Sequence, residues 1–188
     1  MSILADRLLA VHAALDGAGF PHAFGGAIAL AYCTEEPRGT RDVDVNVFVG
    51  AEESARVLDA LPAGVVVGEA DVRAATEAGQ VRVWWDDTPL DLFFDVHDFH
   101  REIAADVRVV PFAGTEIPVL GCAALAVFKV VFDRTKDWAD LEAMVEVEAF
   151  DASAVLGWVV RLFGPDDVRV ARLLRLVEPG REQGTGRA

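Results

Sequence analysis

Apolar and polar positions in the first part of the chain follow helical and strand spacing in turn. Apolar residues at positions 4, 8, 11 and 15 predict a helix at about 3–15. The HAFGG run then predicts a short strand that breaks at Gly25 into a second helix, 27–32. From 42 to 49 the period is two, with valines on one face. The opposite face carries Asp42, Asp44, Asn46 and Phe48.

The rest of the chain predicts further strands and a helical end. The elements expected next are a helix at 52–61, a short strand at 65–67 and a turn or helix at 71–77. Two hairpins follow, VRVWWDDTPLDLFFDV turning at Asp86–Pro89 and VRVVPFAGTEIPVL turning at Ala113–Gly114. Four helices end the chain, at about 122–133, 136–148, 151–163 and 166–176. The fold class is therefore α+β or α/β, a mixed β-sheet flanked by helices with a C-terminal helical segment.

Length and composition predict one globular domain. A chain of 188 residues can bury roughly 70% of its unfolded surface around a single core. We expect 1–120 to form this core and 121–177 to form a helical part packed on it. The Gly- and Arg-containing run at 178–188 predicts a disordered tail.

Charge and cysteine usage narrow the class of protein. A formal net charge of -14 argues against a long basic stripe for nucleic acid, because phosphate binding needs clustered Lys and Arg. Cys33 and Cys122 lie in apolar, helix-like stretches without metal-binding spacing, which favours buried thiols over a disulfide or zinc. No segment reaches the roughly 18 apolar residues of a membrane span, and the amphipathic N-terminus does not resemble a signal peptide. We therefore expect a cytoplasmic protein without membrane contact.

Aspartates on strand faces are the first candidates for chemistry. Residues two apart in a strand point the same way, so Asp42 and Asp44 place two anions close together. A divalent cation between them is the usual solution, and hard oxygen ligands suit Mg²⁺. A third carboxylate would allow two metal ions, and Asp91 is the candidate because it faces away from the apolar residues of its strand. Asp95 lies farther along the same face. The alternative is a strand face that is merely solvated.

A glycine pair, Gly25 and Gly26, lies at the predicted strand-to-helix junction upstream of these aspartates. Glycine lets a backbone approach phosphate closely, and a helix N-terminus offers free N–H groups and the positive end of a dipole. Alone, such a pair is equally consistent with a plain turn. Together with Asp42 and Asp44 it is more specific than either feature alone.

This order of motifs resembles the nucleotidyltransferase superfamily, the DNA polymerase β-like fold. The resemblance rests on G-G, a helix, a loop with Arg38, Thr40 and Arg41, then D-V-D on a strand and a later lone Asp on a hairpin strand. Within the superfamily, FGGAIALAY, RGTRDVDVNVFV, TPLDLFF and LAVFKVVFDRTKDWADLEAM resemble AbiEii-type nucleotidyltransferases. That branch includes toxins of toxin–antitoxin and phage-defence systems. The resemblance covers about residues 20–145.

The resemblance implies an enzyme that transfers a nucleoside monophosphate from an NTP to an acceptor and releases pyrophosphate. Asp42, Asp44 and Asp91 would be the catalytic residues and the ligands of Mg²⁺, two ions when NTP is bound. Asp91 would also take the proton of the acceptor hydroxyl. The implied nucleotide-binding residues are Gly25, Gly26, Arg41, Lys129, Lys136 and Asp137. Arg38 and Asp140 are second-rank candidates.

Several alternatives stay open at this point. Lys129 either contacts the triphosphate or faces solvent paired with Asp133 at i+4. The acceptor is RNA such as tRNA, a protein, or a small molecule such as an aminoglycoside, and an antitoxin protein is a potential partner. A different class of function is a catalytically silent nucleotide- or partner-binding module. Two features favour the hypothesis of a silent module: Gly26 occupies a position where many family members have Ser, and the composition is acidic.

Overall fold

The computed structural model describes residues 2–96, 98–103 and 106–178, and within them the chain divides into two compact units. The first unit contains the residues up to Tyr32 and those from Glu36 to Gly121. The second contains Cys33–Glu35 and the residues from Cys122 onward. The predicted tail lies outside the described residues, apart from Glu178.

The first unit is built on a seven-stranded sheet among the described residues. Its strands are β1 (His22–Phe24), β2 (Val43–Gly50), β3 (Val65–Val66), β4 (Gln80–Trp85), β5 (Thr88–Asp95), β6 (Val107–Phe112) and β7 (Thr115–Leu120). Their order is β3-β4-β5-β2-β1-β7-β6. The β2–β5 and β1–β7 pairs are parallel, whereas β1–β2, β3–β4, β4–β5 and β6–β7 are antiparallel. The sheet is therefore mixed, and the predicted fold class is confirmed.

Helices alternate with the early strands and then follow one another. The helices that begin in the first unit are α1 (Ile3–Gly17), α2 (Gly26–Thr34), α3 (Ser54–Asp59), α4 (Glu69–Ala78) and α5 (Asp98–Ile103), with a 3₁₀ turn, Ala51–Glu53, before α3. Those of the second unit are α6 (Cys122–Phe132), α7 (Thr135–Glu146), α8 (Ala152–Phe163) and α9 (Val168–Val177). Helix α5 was not predicted from the sequence. Among the helices of the described residues, none has the continuous apolar length that a transmembrane span requires.

The pairing of β2 with β5 sets the two faces of the sheet. Val43, Val45 and Val47 are fully buried, or nearly so, and they pair with Leu90, Leu92 and Phe94. Burying each such side chain contributes about 1.5–3 kcal/mol. A slip of one residue would turn these side chains out of the core and bring the aspartates in, so burial fixes the register. The opposite face, with the aspartates, is consequently held in one arrangement.

The second unit is helical and contains a disulfide. Helix α6 packs against α7 and α8, and α9 packs against α7 and α8. Cys33, near the end of α2, is bonded to Cys122, the first residue of α6, with their Cα atoms 5.6 Å apart. The prediction of two free thiols is therefore wrong. The two cysteines are 89 residues apart, and such a distant pairing leaves no mark on local spacing.

Candidate active site

Asp44 and Asp91 lie side by side on neighbouring strands of the sheet. They are register partners in the parallel β2–β5 pair, so their side chains project from the same face. Both are partly exposed, with the Asp91 side chain 16% accessible. The apolar residues that flank them in each strand are buried on the other face. Two carboxylates are thus presented to solvent from a rigid part of the sheet.

Asp42 lies immediately before β2, two residues from Asp44 in the same extended run. Its carboxylate accepts a hydrogen bond from the hydroxyl of Thr40, which orients the side chain from within the preceding loop. Arg41 and Arg38 are exposed in that loop. The pKa of Asp87 is lowered mainly by a hydrogen bond from Arg7, and to a smaller extent by the charge of Arg41. Arg41 therefore lies close enough to the β4–β5 turn to act on it electrostatically.

The two glycines contact the aspartate strand directly. The Gly25 N–H donates to the Asp44 carbonyl oxygen at 2.9 Å, and α2 begins at Gly26. Gly26 has a φ of 52°, and a Cβ at this position would lie 1.8 Å from Oδ2 of Asp44. A Cβ on Gly25 would lie 3.0 Å from Nδ2 of Asn46. Asn46 is buried and lies on the same face of the sheet as Asp44 and Asp91, which we call the aspartate face. Only glycine lets this backbone lie against the Asp44 carboxylate.

A guanidinium group also belongs to this site. Arg82 of β4 is the register partner of Asp91 in the antiparallel β4–β5 pair. Its Nε and Nη2 donate to the two oxygens of Asp91 at 2.7 and 2.6 Å. These hydrogen bonds are the main reason that the pKa of Arg82 is raised, and the charges of Asp91, Asp42 and Asp44 raise it further against the opposing effect of burial. Arg82 therefore interacts electrostatically with all three aspartates.

Sequence reasoning missed Arg82, although a signal was present. A two-residue turn at Asp86–Asp87 pairs Trp85 with Thr88, and counting back along both strands places Arg82 opposite Asp91. The four-residue turn predicted at Asp86–Pro89 would instead pair Trp85 with Leu90 and place Arg82 opposite Phe93. A tighter turn assignment would have identified the ion pair.

The remaining predicted nucleotide-binding residues belong to the helical unit. Lys129 of α6 is 5% exposed, and its Nζ donates to Oδ2 of Asp140 at 2.5 Å and lies 3.8 Å from Oδ1 of Asp137. Asp137 also accepts hydrogen bonds from Arg134, and Lys136 is exposed on α7. The alternative of a solvent-facing Lys129 paired with Asp133 is wrong, because the turn between α6 and α7 brings Asp140 to the buried ammonium. The role of these residues toward a triphosphate stays a prediction.

The donors at the sheet are of the kind that Mg²⁺ prefers. Within the described ranges, no three Asp, Glu, His or Cys side chains are gathered closely enough to form a metal-binding group by themselves. Mg²⁺ commonly takes one or two protein carboxylates and completes its octahedron with waters and substrate phosphates. Asp44 and Asp91 supply two such carboxylates on one face, so the residues fit a metal shared with a nucleotide.

Comparison with solved structures identifies the fold. The crystal structure of ANT(2″)-Ia in complex with adenylyl-2″-tobramycin matches 85% of this chain and 97% of that chain, with a TM-score of 0.61 and 15% identity. The solution structure of the antibiotic-resistance factor ANT(2″)-Ia matches 85% of this chain and 90% of that chain, with a TM-score of 0.58 and 12% identity. An antigenic nucleotidyltransferase-like protein from Paracoccidioides brasiliensis matches over 94% of this chain and 89% of its own, with a TM-score of 0.52 and 15% identity.

Sequence comparisons add nothing to these structural matches. No family model matches the sequence, and no curated protein matches it. At 12 to 15% identity, the structural similarity shows the fold. The chain has the nucleotidyltransferase fold that the motif order implied.

Proposed function

We propose that this protein is a metal-dependent nucleotidyltransferase that moves a nucleoside monophosphate from an NTP to an acceptor hydroxyl. The observation that carries the proposal is the pairing of Asp44 with Asp91 on adjacent parallel strands, with the backbone of Gly26 against Asp44. Nucleotidyl transfer needs carboxylates beside a surface that lets the triphosphate approach, and this part of the sheet offers both.

The reaction assigns a role to each group at the sheet. The acceptor oxygen attacks the α-phosphorus, the bond to the bridging oxygen of the β-phosphate breaks, and pyrophosphate leaves with the electron pair. Asp91 takes the proton of the acceptor hydroxyl. Asp42, Asp44 and Asp91 would hold Mg²⁺, which when bound neutralises phosphate charge and stabilises the leaving group. The N–H groups at the start of α2 and the charge of Arg41 would receive the triphosphate.

The predicted nucleotide-binding residues of the helical unit have two different roles in this proposal. Lys136 is exposed and can meet a phosphate, whereas Lys129 and Asp137 are buried in the cluster with Asp140. In the proposal, Lys129 and Asp137 therefore hold α6 and α7 together, and a phosphate contact by Lys129 would require the Asp140 pair to open.

For the acceptor, a small cationic polyol is favoured over RNA. A net charge of -14 attracts cations and repels a polyphosphate backbone. The structural neighbour ANT(2″)-Ia was solved with adenylyl-2″-tobramycin, a nucleotidylated small molecule. RNA such as tRNA and protein acceptors, and the AbiEii-type toxin role with an antitoxin partner, remain the competing proposals. Each of these reactions consumes NTP, which is the basis on which we propose a cytoplasmic location; the Cys33–Cys122 disulfide gives that location no support.

Radioactive transfer assays test this proposal. The protein is incubated with each α-labelled NTP, Mg²⁺ and separate acceptors: aminoglycosides, tRNA and purified protein substrates. We expect labelled acceptor with the wild type, and a loss of at least about 100-fold in Asp44→Asn and Asp91→Asn. Asp59→Asn, an exposed carboxylate at the end of α3, is the matched control and should retain activity. Full activity in both site variants would contradict the proposal.

The silent-module alternative has one structural observation in its favour, the engagement of both Asp91 oxygens by Arg82. Calorimetry separates the two functions. Binding of Mg²⁺ with NTP and no transfer to any acceptor would support a binding module, whereas turnover would exclude it.

A further inference from the structure

Arg82 and Asp91 form an ion pair on the face of the sheet that carries Asp44 and Asp91. The guanidinium meets the carboxylate through two parallel hydrogen bonds, the geometry that gives Arg–carboxylate pairs their strength. The two residues are also directly opposite in the β4–β5 ladder, so the backbone holds them together. The pair is a built feature of the hairpin rather than a chance surface contact.

The location of the pair gives it a larger role than a surface salt bridge. Asp91 faces the same side as Asp44, and Arg82 interacts electrostatically with Asp42 and Asp44 as well. Asp44 and Asp91 are neighbouring anions on one face of the sheet, and they repel each other unless a positive charge lies near them. Arg82 supplies that charge at the place where the proposed reaction requires a divalent cation.

The exposure of the two partners shows which of them can move. The Arg82 side chain is 52% exposed, whereas Asp91 is 16% exposed and held on a strand whose alternate residues are buried. A half-exposed arginine can exchange its carboxylate for water by changing rotamers, at little cost to packing. Asp91 has no such freedom.

We propose that Arg82 is a built-in counter-ion that competes with the divalent cation for Asp91, so that metal binding requires the guanidinium to leave this carboxylate. This inference rests on the proposed function of the same site. Arg82 keeps the aspartates neutralised and Asp91 oriented before the nucleotide arrives. The cation and the guanidinium repel each other, and both use the oxygens of Asp91, so each weakens the binding of the other. Arg82 acts through Asp91 and is a positioning residue.

The test measures binding of Mn²⁺, which reports on the site without turnover. Free Mn²⁺ is quantified by electron paramagnetic resonance during titration of the protein, alone and with a non-hydrolysable ATP analogue. We expect Arg82→Gln to bind Mn²⁺ roughly tenfold more tightly than wild type, since it removes the competing charge and two hydrogen bonds to Asp91. Arg82→Lys, which keeps the charge but not the paired hydrogen bonds, should show a smaller gain.

Two controls separate competition from a general change in charge. Arg56→Gln, on α3, removes the same charge and breaks a surface pair with Glu53 of the preceding 3₁₀ turn, so its Mn²⁺ affinity should equal that of the wild type. In an Asp91→Asn background, Arg82→Gln should give much less gain than it does in the wild type, because the shared carboxylate is gone.

The outcomes distinguish this inference from the proposed function. Tighter Mn²⁺ binding in Arg82→Gln that depends on Asp91 supports the competition. Unchanged or weaker binding in Arg82→Gln and Arg82→Lys overturns it, even if the wild type transfers nucleotides. Absence of Mn²⁺ binding in every variant, with and without the ATP analogue, overturns both. If Arg82→Gln does not fold, the Mn²⁺ affinity of Arg82→Lys is the test: tighter binding than in the wild type supports the competition, and unchanged or weaker binding overturns it.

Discussion

Gly26→Ala perturbs the closest backbone approach at the proposed site. The added Cβ would lie 1.8 Å from Oδ2 and 2.6 Å from Cγ of Asp44, far inside any real contact distance. The carboxylate must therefore move by about 1 Å, and a displacement of that size at a catalytic group costs on the order of 100-fold in rate. The φ of 52° adds a backbone penalty of about 1–2 kcal/mol for a residue with a side chain.

The assay combines nucleotidyl transfer with thermal unfolding. Gly26→Ala should lose about two orders of magnitude in kcat/KM and lower the Tm by about 2–8 °C, the shift expected for 1–2 kcal/mol in a chain of this size. The two effects have different causes, because the rate reports the position of Asp44 and the Tm reports backbone strain. Alanine substitutions at other glycines of the chain can separate the effect on rate from the effect on Tm.

Two matched variants make that separation. Gly114→Ala in the β6–β7 turn has a φ of 91° but meets no atom within 4 Å, so it should lower the Tm and leave transfer unchanged. Gly157→Ala, inside α8 with open space around it, should raise stability by about 0.5–1 kcal/mol. Wild-type activity in Gly26→Ala would refute the reasoning that this glycine is needed for the position of Asp44.

Three further predictions concern residues outside the proposed site at Asp44 and Asp91. Lys129→Met leaves the carboxylate of Asp140 buried without its ammonium partner, so urea unfolding should show a loss of about 3–5 kcal/mol, and adding Asp140→Leu should restore much of it. Reduction of the Cys33–Cys122 bond, which closes a long loop, should lower stability by about 2–4 kcal/mol in urea melts with and without reductant; equal midpoints would contradict this bond. Burial lowers the pKa of His22 below its ordinary 6.5, so the unfolded chain binds the proton more readily and stability should fall as pH drops below about 6.5. Urea midpoints between pH 5 and 8 check this, and a His22→Gln variant should lose that part of the pH dependence.

The faces of the central strands were predictable because a period of two is a local property. Alternation placed Asp44 opposite the valines of β2 and Asp91 opposite the apolar residues of β5, and the structure has this arrangement. What alternation does not contain is which strands are neighbours. The β2–β5 pair is parallel, and Asp44 and Asp91 are 47 positions apart in the chain (91 − 44), so their meeting depended on the family resemblance.

Contacts between segments that are far apart in the chain could not be predicted from the sequence either, because local patterns do not show which segments are neighbours. The burial of Lys129 against Asp140 depends on how α7 folds back on α6, and helical spacing alone suggested the nearer Asp133. Cys33 and Cys122 showed only apolar surroundings, which are equally typical of thiols and of disulfides. Arg82 is the exception, since a two-residue hairpin turn would have placed it opposite Asp91.

We propose that Asp44 and Asp91 form one nucleotidyl-transfer centre beside Gly26. Diffraction from crystals grown with Mn²⁺ and a non-hydrolysable NTP tests it most directly, because the anomalous signal of manganese locates the ion without assumptions about activity. We expect an ion bound by both carboxylates, with the triphosphate against the start of α2. An ion and triphosphate bound elsewhere, with the Arg82–Asp91 pair intact, would contradict it.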